Sequence, residues 1–127
     1  MIAVDTSFLL DYLDGVDATA DYLQANEDAP FFVPSLVSFE IYRGAARTEG
    51  RSGLDRVTAG LDWLDSLPLD AAAAREAALI EAELLDAGAP INLGDTLIAG
   101  ICRHHDARIV TRDSHFDRVE GLAVEPY

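Results

Sequence analysis

Four carboxylates stand where a folded chain has little ordinary reason to put them: Asp5, Glu40, Asp95 and Asp113. Asp5 follows the short apolar run Ile2-Ala3-Val4, and Asp113 follows Arg108-Ile109-Val110-Thr111. Asp is common in caps and turns, so either alone carries little weight. Glu40 says more. On a helix beginning at Ser35 it lies one turn from Leu36 and Val37 and one turn before Gly44, along an apolar stripe. Asp95 is followed by Ile98, Ala99 and Cys102 at three, four and seven residues, so it heads the inward stripe of its own helix. Two unit charges about 4 Å apart interact by roughly 4 kcal/mol at an effective dielectric of about 20, so carboxylates aimed at one place need protons or a cation. An all-oxygen set suits Mg²⁺ or Mn²⁺, whereas zinc would ask for His and Cys at ligand spacing. No such set is present: His104 and His105 are adjacent on a helix and His115 stands apart. The chemistry implied is metal-assisted hydrolysis.

Other reaction classes fall away. No G-x-S-x-G elbow or similar positioned nucleophile occurs. All nine basic residues are Arg, and the absence of Lys removes P-loop phosphate binding, Schiff-base catalysis and pyridoxal chemistry. Haloacid-dehalogenase phosphatases and response-regulator receivers also place Asp after a first strand, but those families use a Lys. The one cysteine, Cys102, permits no internal disulfide and reads as a buried small hydrophobe.

The elements that must position these acids follow from apolar runs and their punctuation. Ile2 to Asp5 reads as a strand, Asp5-Thr6-Ser7 as a cap and Phe8 to Leu13 as a helix. Asp17 to Glu27 carries Ala18, Tyr22 and Ala25 at helical spacing. Phe31 to Pro34 reads as a strand and Ser35 to about Thr48 as a helix, with Gly50 and Gly53 marking a break. Leu54 to Leu67 predicts a further helix, Pro68-Leu69 a short strand, and Asp70 to about Ala87 an Ala-rich helix closed by Gly88. Leu93 to His105 is the next helix, Arg108 to Thr111 a strand, His115 to Val119 a turn or short helix, and Leu122 to Glu125 a last strand. This alternation implies parallel strands joined by right-handed crossovers, an α/β sandwich formed as a single domain over residues 1–127. In such sheets ligands bind outside the carboxyl ends of the strands, where Asp5 and Asp113 emerge.

The chain has 127 residues, 9 basic against 23 acidic, a formal charge of -14 and 50% apolar residues. That describes one folded domain wrapped in acid rather than a disordered acidic chain. The composition resembles proteins from organisms that keep molar salt in the cytoplasm. At about 1 M salt the Debye length is about 3 Å, so the net charge need not forbid binding to a polyanion. The N-terminus lacks a basic leader, and no apolar run approaches the roughly 18 residues of a membrane span; a cytoplasmic protein without a membrane segment is expected.

Four blocks in order carry a family resemblance: Asp5-Thr6-Ser7 with Phe8-Leu9-Leu10-Asp11, Glu40-Ile41-Tyr42-Arg43-Gly44, Asp95-Thr96-Leu97-Ile98-Ala99, and Thr111-Arg112-Asp113-Ser114-His115-Phe116. The chain resembles PIN-domain ribonucleases, specifically VapC-type toxins of toxin-antitoxin pairs, nearly end to end. The resemblance implies a PIN-like three-layer α/β/α sandwich with a central, mostly parallel sheet. It implies an endoribonuclease that hydrolyses RNA phosphodiester bonds, a VapB-like antitoxin as partner, and a homodimer. It makes Asp5, Glu40, Asp95 and Asp113 the catalytic quartet binding one or two Mg²⁺ or Mn²⁺ ions, with Thr6 or Ser7 and Thr111 as supporting hydroxyls. Arg43, Arg47 and Arg51 fall at intervals of four, a stripe able to contact RNA phosphates or an acidic antitoxin tail, or simply a solvated surface. Trp63 and Tyr42 suit core or interface better than base stacking. Two other readings stand beside the toxin: a PIN nuclease of RNA processing, and a non-catalytic PIN-like binding module, against which the intact quartet argues.

Overall fold

Ile2, Ala3 and Val4 form the central strand β1 and are at most 4% exposed, as a strand covered on both faces must be. A computed structural model describes residues 1–127. After β1 (Ile2–Val4) come α1 (Thr6–Leu13), α2 (Asp17–Ala25), β2 (Phe31–Pro34), α3 (Ser35–Gly60), β3 (Asp65–Leu67), α4 (Ala71–Asp86), α5 (Leu93–His104) and β4 (Arg108–Val110). A 3₁₀ turn (Ser114–Arg118) leads to β5 (Val124–Glu125). The five strands lie in the order β3-β2-β1-β4-β5, and every pairing is parallel. Ile2 stands opposite both Phe31 and Arg108, and Val4 opposite Val110.

The chain steps outward from β1 to β2 and β3, then returns past β1 to β4. Right-handed crossovers therefore put α1 to α3 on one face and α4 with α5 on the other, a three-layer α/β/α sandwich. The direction reverses between β1 and β4, and in sheets of this kind the carboxyl ends at such a reversal are where ligands are received. The core is formed by Phe8 and Leu9 of α1, Val37 of α3, Ile80 of α4, and Ile98 and Ile101 of α5, all at most 1% exposed. Each such side chain contributes about 1.5–3 kcal/mol by leaving water. Cys102 is fully buried, and desolvation pushes its thiol up to about 12, so it is a packing residue without nucleophilic character.

Three local expectations give way to geometry. The break expected at Gly50 is present: its φ of 60° and ψ of −142° are non-helical and suit a residue without a Cβ, dividing α3 into two helical stretches, the second of which stops at Gly60 instead of running to Leu67. Beyond Gly60, Leu61 and Leu64 reach the core from a turn rather than a helix. The strand that follows is Asp65–Leu67 and not Pro68-Leu69, because Pro34 takes Leu67 as its register partner and Pro68 has no N–H to donate to a ladder. α2 turns Thr19 and Tyr22 inward while Ala18 and Ala25 stay exposed, since the Tyr22 ring packs edge-on against Phe8 at 5.9 Å.

α4 and α5 approach so closely that a Cβ on Gly100 would lie 2.5 Å from the Ala77 Cβ and 2.7 Å from its backbone nitrogen. Gly100→Val is therefore expected to lose about 1–3 kcal/mol in denaturant unfolding. Gly44→Ala, with nothing within 4 Å of the added carbon, is expected to gain about 0.5–1 kcal/mol from helix propensity.

Candidate active site

Asp5 leaves β1 with extended backbone and caps α1, its Oδ1 accepting the Phe8 N–H at 2.9 Å. The Ser7 hydroxyl donates to the same carboxylate at 2.7 Å, and the Thr111 hydroxyl, arriving from the end of β4, donates to Oδ2. Parallel pairing of Val4 with Val110 brings these two strand ends side by side. Thr111 Oγ1 also accepts the Asp113 N–H at 2.9 Å, so one hydroxyl ties both strand-end acids together. Asp5 is 4% exposed, and this desolvation raises its pKa despite the donors, with the nearby Asp113 charge acting in the same direction.

Glu40 sits on α3 between the buried residues Val37 and Ile41. The Thr6 hydroxyl donates to its Oε1 at 3.3 Å, and the start of α5 stands close by, a Cβ on Gly94 falling 4.0 Å from that oxygen. Burial raises its pKa, as do the charges of Asp95 and Asp5, while Arg43 opposes them.

Asp95 occupies the first turn of α5. Asn92, the N-cap, accepts the Asp95 N–H at 2.8 Å and donates through Nδ2 to Asp95 Oδ2 at 2.9 Å. Burial and the Asp113 charge raise the Asp95 pKa. Asn92 was absent from the residues singled out by sequence, although an Asn just before an apolar helical run is a recognisable cap signal.

Asp113 caps the 3₁₀ turn, accepting the His115 N–H at 2.9 Å. That turn corrects one expectation. His115 does not stand apart: its Nδ1 lies 3.2 Å from Asp113 Oδ1 and 3.5 Å from Asp95 Oδ2. The distance in sequence between Asp95 and His115 hid a contact that only the turn creates.

The four acids thus form a closed ring of like-charge interactions, Asp5 with Asp113, Asp113 with Asp95, Asp95 with Glu40, and Glu40 with Asp5, while the group whose ligand atoms all lie within 4.8 Å of one another is Asp95, Asp113 and His115. No Arg forms an ion pair with any of them; His115 alone among basic groups comes within salt-bridge distance. Such a donor set fits a hard divalent cation. Around it, Arg43 lies over the Phe39 ring at 5.3 Å and Arg47 is exposed without an ion pair, whereas the kink at Gly50 takes Arg51 off their stripe. Arg112 reaches Asp11 at 3.3 Å, and Asp11 also accepts the Tyr127 hydroxyl at 2.6 Å. Trp63 packs against Tyr12 and Phe31, and the Tyr42 hydroxyl accepts from Thr58, both structural roles.

Residues 2–122 match the PIN domain family. The chain belongs to the PIN-domain family. This PIN domain is 33% identical over 127 residues to the VapC ribonuclease Mb1587 of Mycobacterium bovis, covering 96% of this chain and 93% of that protein. It is 33% identical over 97 residues to the tRNA(fMet)-specific endonuclease VapC of Shigella flexneri, covering 75% and 74% of the two chains. In fold it superposes on a chain of VapBC2 from Rickettsia felis, crystallised on a fragment of promoter DNA, with a TM-score of 0.90 at 20% identity over 100% of this chain and 99% of that one. For a chain of DNA-bound VapBC from Salmonella typhimurium the TM-score is 0.87 at 24% identity, over 99% and 98%.

Thr111→Val leaves the buried Asp5 carboxylate short of a donor and is expected to cost about 1–3 kcal/mol of unfolding free energy at neutral pH. Asp5 already has a folded-state pKa above its unfolded one, and losing the donor raises it further. The difference between variant and wild type is therefore largest where Asp5 is ionised and shrinks as pH falls and Asp5 takes a proton. Denaturant melts at neutral and acidic pH measure both.

Proposed function

We propose that the chain is a divalent-metal-dependent endoribonuclease that hydrolyses RNA phosphodiester bonds and serves as the toxin of a toxin-antitoxin pair. The observation that carries this reading is the closed ring of Asp5, Glu40, Asp95 and Asp113 at the carboxyl ends of β1 and β4. The relatives' names, ribonuclease and VapC, support the substrate class, and the VapBC complexes support an antitoxin partner.

Asp5 and Asp95 are the principal ligands for Mg²⁺ or Mn²⁺, completed by Glu40 and Asp113. When bound, such an ion lowers the pKa of a water, polarises the scissile phosphate and offsets charge on the leaving oxygen. The chain's own groups do the rest. Ser7 and Thr111 fix the Asp5 carboxylate, Asn92 fixes Asp95, and Thr6 holds Glu40 by Oε1. Glu40 Oε2 has no hydrogen-bond donor from the protein and stays available to the ion. Arg43 and Arg47 lie three and seven residues after Glu40, on the same face of α3, and meet RNA phosphates or an acidic antitoxin tail. A groove of mixed lining, with Leu10, Leu13, Ile41, Ala45 and Val57 beside Asp14, Glu40, Thr48 and Arg56, suits an amphipathic antitoxin segment. The same proposal takes residues 1–127 as a single domain working as a homodimer in a salt-rich cytoplasm. Exposed Leu79, Leu85 and Leu93 on α4 and α5 support the dimer, and the charge of -14 the salt. No helix is long and apolar enough to cross a membrane.

The test is cleavage of structured RNA at molar KCl with Mn²⁺, Mg²⁺ or chelator, comparing wild type with Asp5→Asn and Asp95→Asn. Cleavage that needs metal and drops at least about a hundredfold in each variant is expected. Metal-independent cleavage, or cleavage retained by both variants, would remove the site.

Melting in chelator gives a second prediction. Because the folded-state pKa of Asp95 is raised, its ionisation costs stability that is lost as pH rises from the unfolded pKa through the folded one. Asp95→Asn is therefore expected to raise Tm by about a few degrees at neutral pH. Divalent ions raise the wild-type Tm by mass action, and the variant loses that gain.

A further inference from the structure

Ligands on neighbouring vertices of an octahedral ion, bound at about 2.1 Å, lie about 3 Å apart, and opposite ones a little over about 4 Å. His115 Nδ1 is 3.2 Å from Asp113 Oδ1 and 3.5 Å from Asp95 Oδ2, and one ligand atom from each of the three residues falls within 4.8 Å of the other two. The spacings are those of an imidazole paired with two carboxylates, and they also match the edges of a coordination polyhedron. We infer that His115 supplies a nitrogen ligand, through Nδ1, to a divalent ion held by Asp95 and Asp113, and so tunes this site toward Mn²⁺ over Mg²⁺. The inference rests on the metal site of the proposed function and adds to it a residue that the acidic quartet does not contain.

The ring is delivered by local structure. Asp113 caps the 3₁₀ turn and takes the His115 N–H, so the imidazole comes back over the carboxylate two residues before it. Phe116, 1% exposed, and Val119, 4% exposed, anchor that turn in the core. Nδ1 has no partners besides the two carboxylates. The side chain is 47% exposed, so turning the ring to coordinate requires no buried group to move.

The chemical consequence follows from ligand type. Mg²⁺ takes oxygen donors and holds its waters tightly, whereas imidazole suits first-row transition ions. A neutral imidazole in a set otherwise made of carboxylates therefore adds affinity for Mn²⁺ that Mg²⁺ does not share. The other two histidines cannot substitute: His104 and His105 are at the far end of α5, about 14 Å of helix from Asp95.

The test uses the full chain in molar KCl, with Mn²⁺ alone as the probe and Mg²⁺ as competitor. Wild type, His115→Ala and Asp95→Asn are compared by Mn²⁺ titration and by pulsed electron paramagnetic resonance, which reads directly bonded ¹⁴N. His115 is exposed, so its replacement leaves the core intact. Expected are a bonded-nitrogen coupling in wild type that vanishes in His115→Ala, Mn²⁺ affinity reduced at least about tenfold, and Mg²⁺ affinity held within about twofold. Mn²⁺ that needs Asp95 yet shows no nitrogen coupling, with His115→Ala keeping wild-type selectivity, would overturn the inference and leave the carboxylate site standing. Mn²⁺ uptake indifferent to both substitutions would overturn the site itself.

Discussion

Repulsion among four carboxylates is the constraint to which the rest of the molecule answers. Each of Asp5, Glu40 and Asp95 binds a proton more readily than an ordinary carboxylate, first because it is desolvated and then because its neighbours carry the same charge. The groups cannot relax apart, since they belong to four different elements fixed by one core. β1 and β4 are held by parallel pairing, α3 by Val37 and Ile41, and α5 by Ile98, Ile101 and the close approach of Gly100 to Ala77. Core burial thus offsets the electrostatic cost of the site, and a divalent ion would relieve it.

Each acid has its own support. Asp5, the most buried, has two hydroxyls and a backbone N–H; Asp95 has the Asn92 amide; Glu40 has Thr6; Asp113 has the backbone of the turn it caps. The most buried acid has the most donors, which is what desolvation demands, because a carboxylate still touching water needs fewer protein partners. None of these donors is a full positive charge. A Lys or Arg inside the ring would neutralise it and compete with a metal, and the chain has no Lys while its arginines pair elsewhere or stay on the rim.

How much of this could be read from the sequence depends on the distance over which each contact is encoded. The parallel α/β order was legible because strands and helices alternate in apolar pattern, and Asp5, Glu40, Asp95 and Asp113 stood out as acids after strands or at the head of apolar stripes. The Ser7 and Thr111 contacts to Asp5 lie in that register too. Glycine punctuation marked the break at Gly50, but local periodicity failed where a tertiary contact decided: Thr19 replaces Ala18 on the inner face of α2 because Tyr22 seeks Phe8. His115 was illegible as a neighbour of Asp95 because twenty residues separate them in the chain and only the cap at Asp113 aims the ring. Tyr127 on Asp11 is hidden for the same reason, a contact between the two ends of the chain.

Whether this ring of carboxylates holds a divalent ion is read most directly by crystallography. Crystals soaked in Mn²⁺ and measured at the manganese absorption edge give the ion's position from anomalous scattering without reference to activity. A strong peak bounded by the carboxylates of Asp5, Glu40, Asp95 and Asp113 is expected. Peaks confined to other surface acids at saturating Mn²⁺, with those four side chains ordered and unliganded, would contradict the proposed metal site.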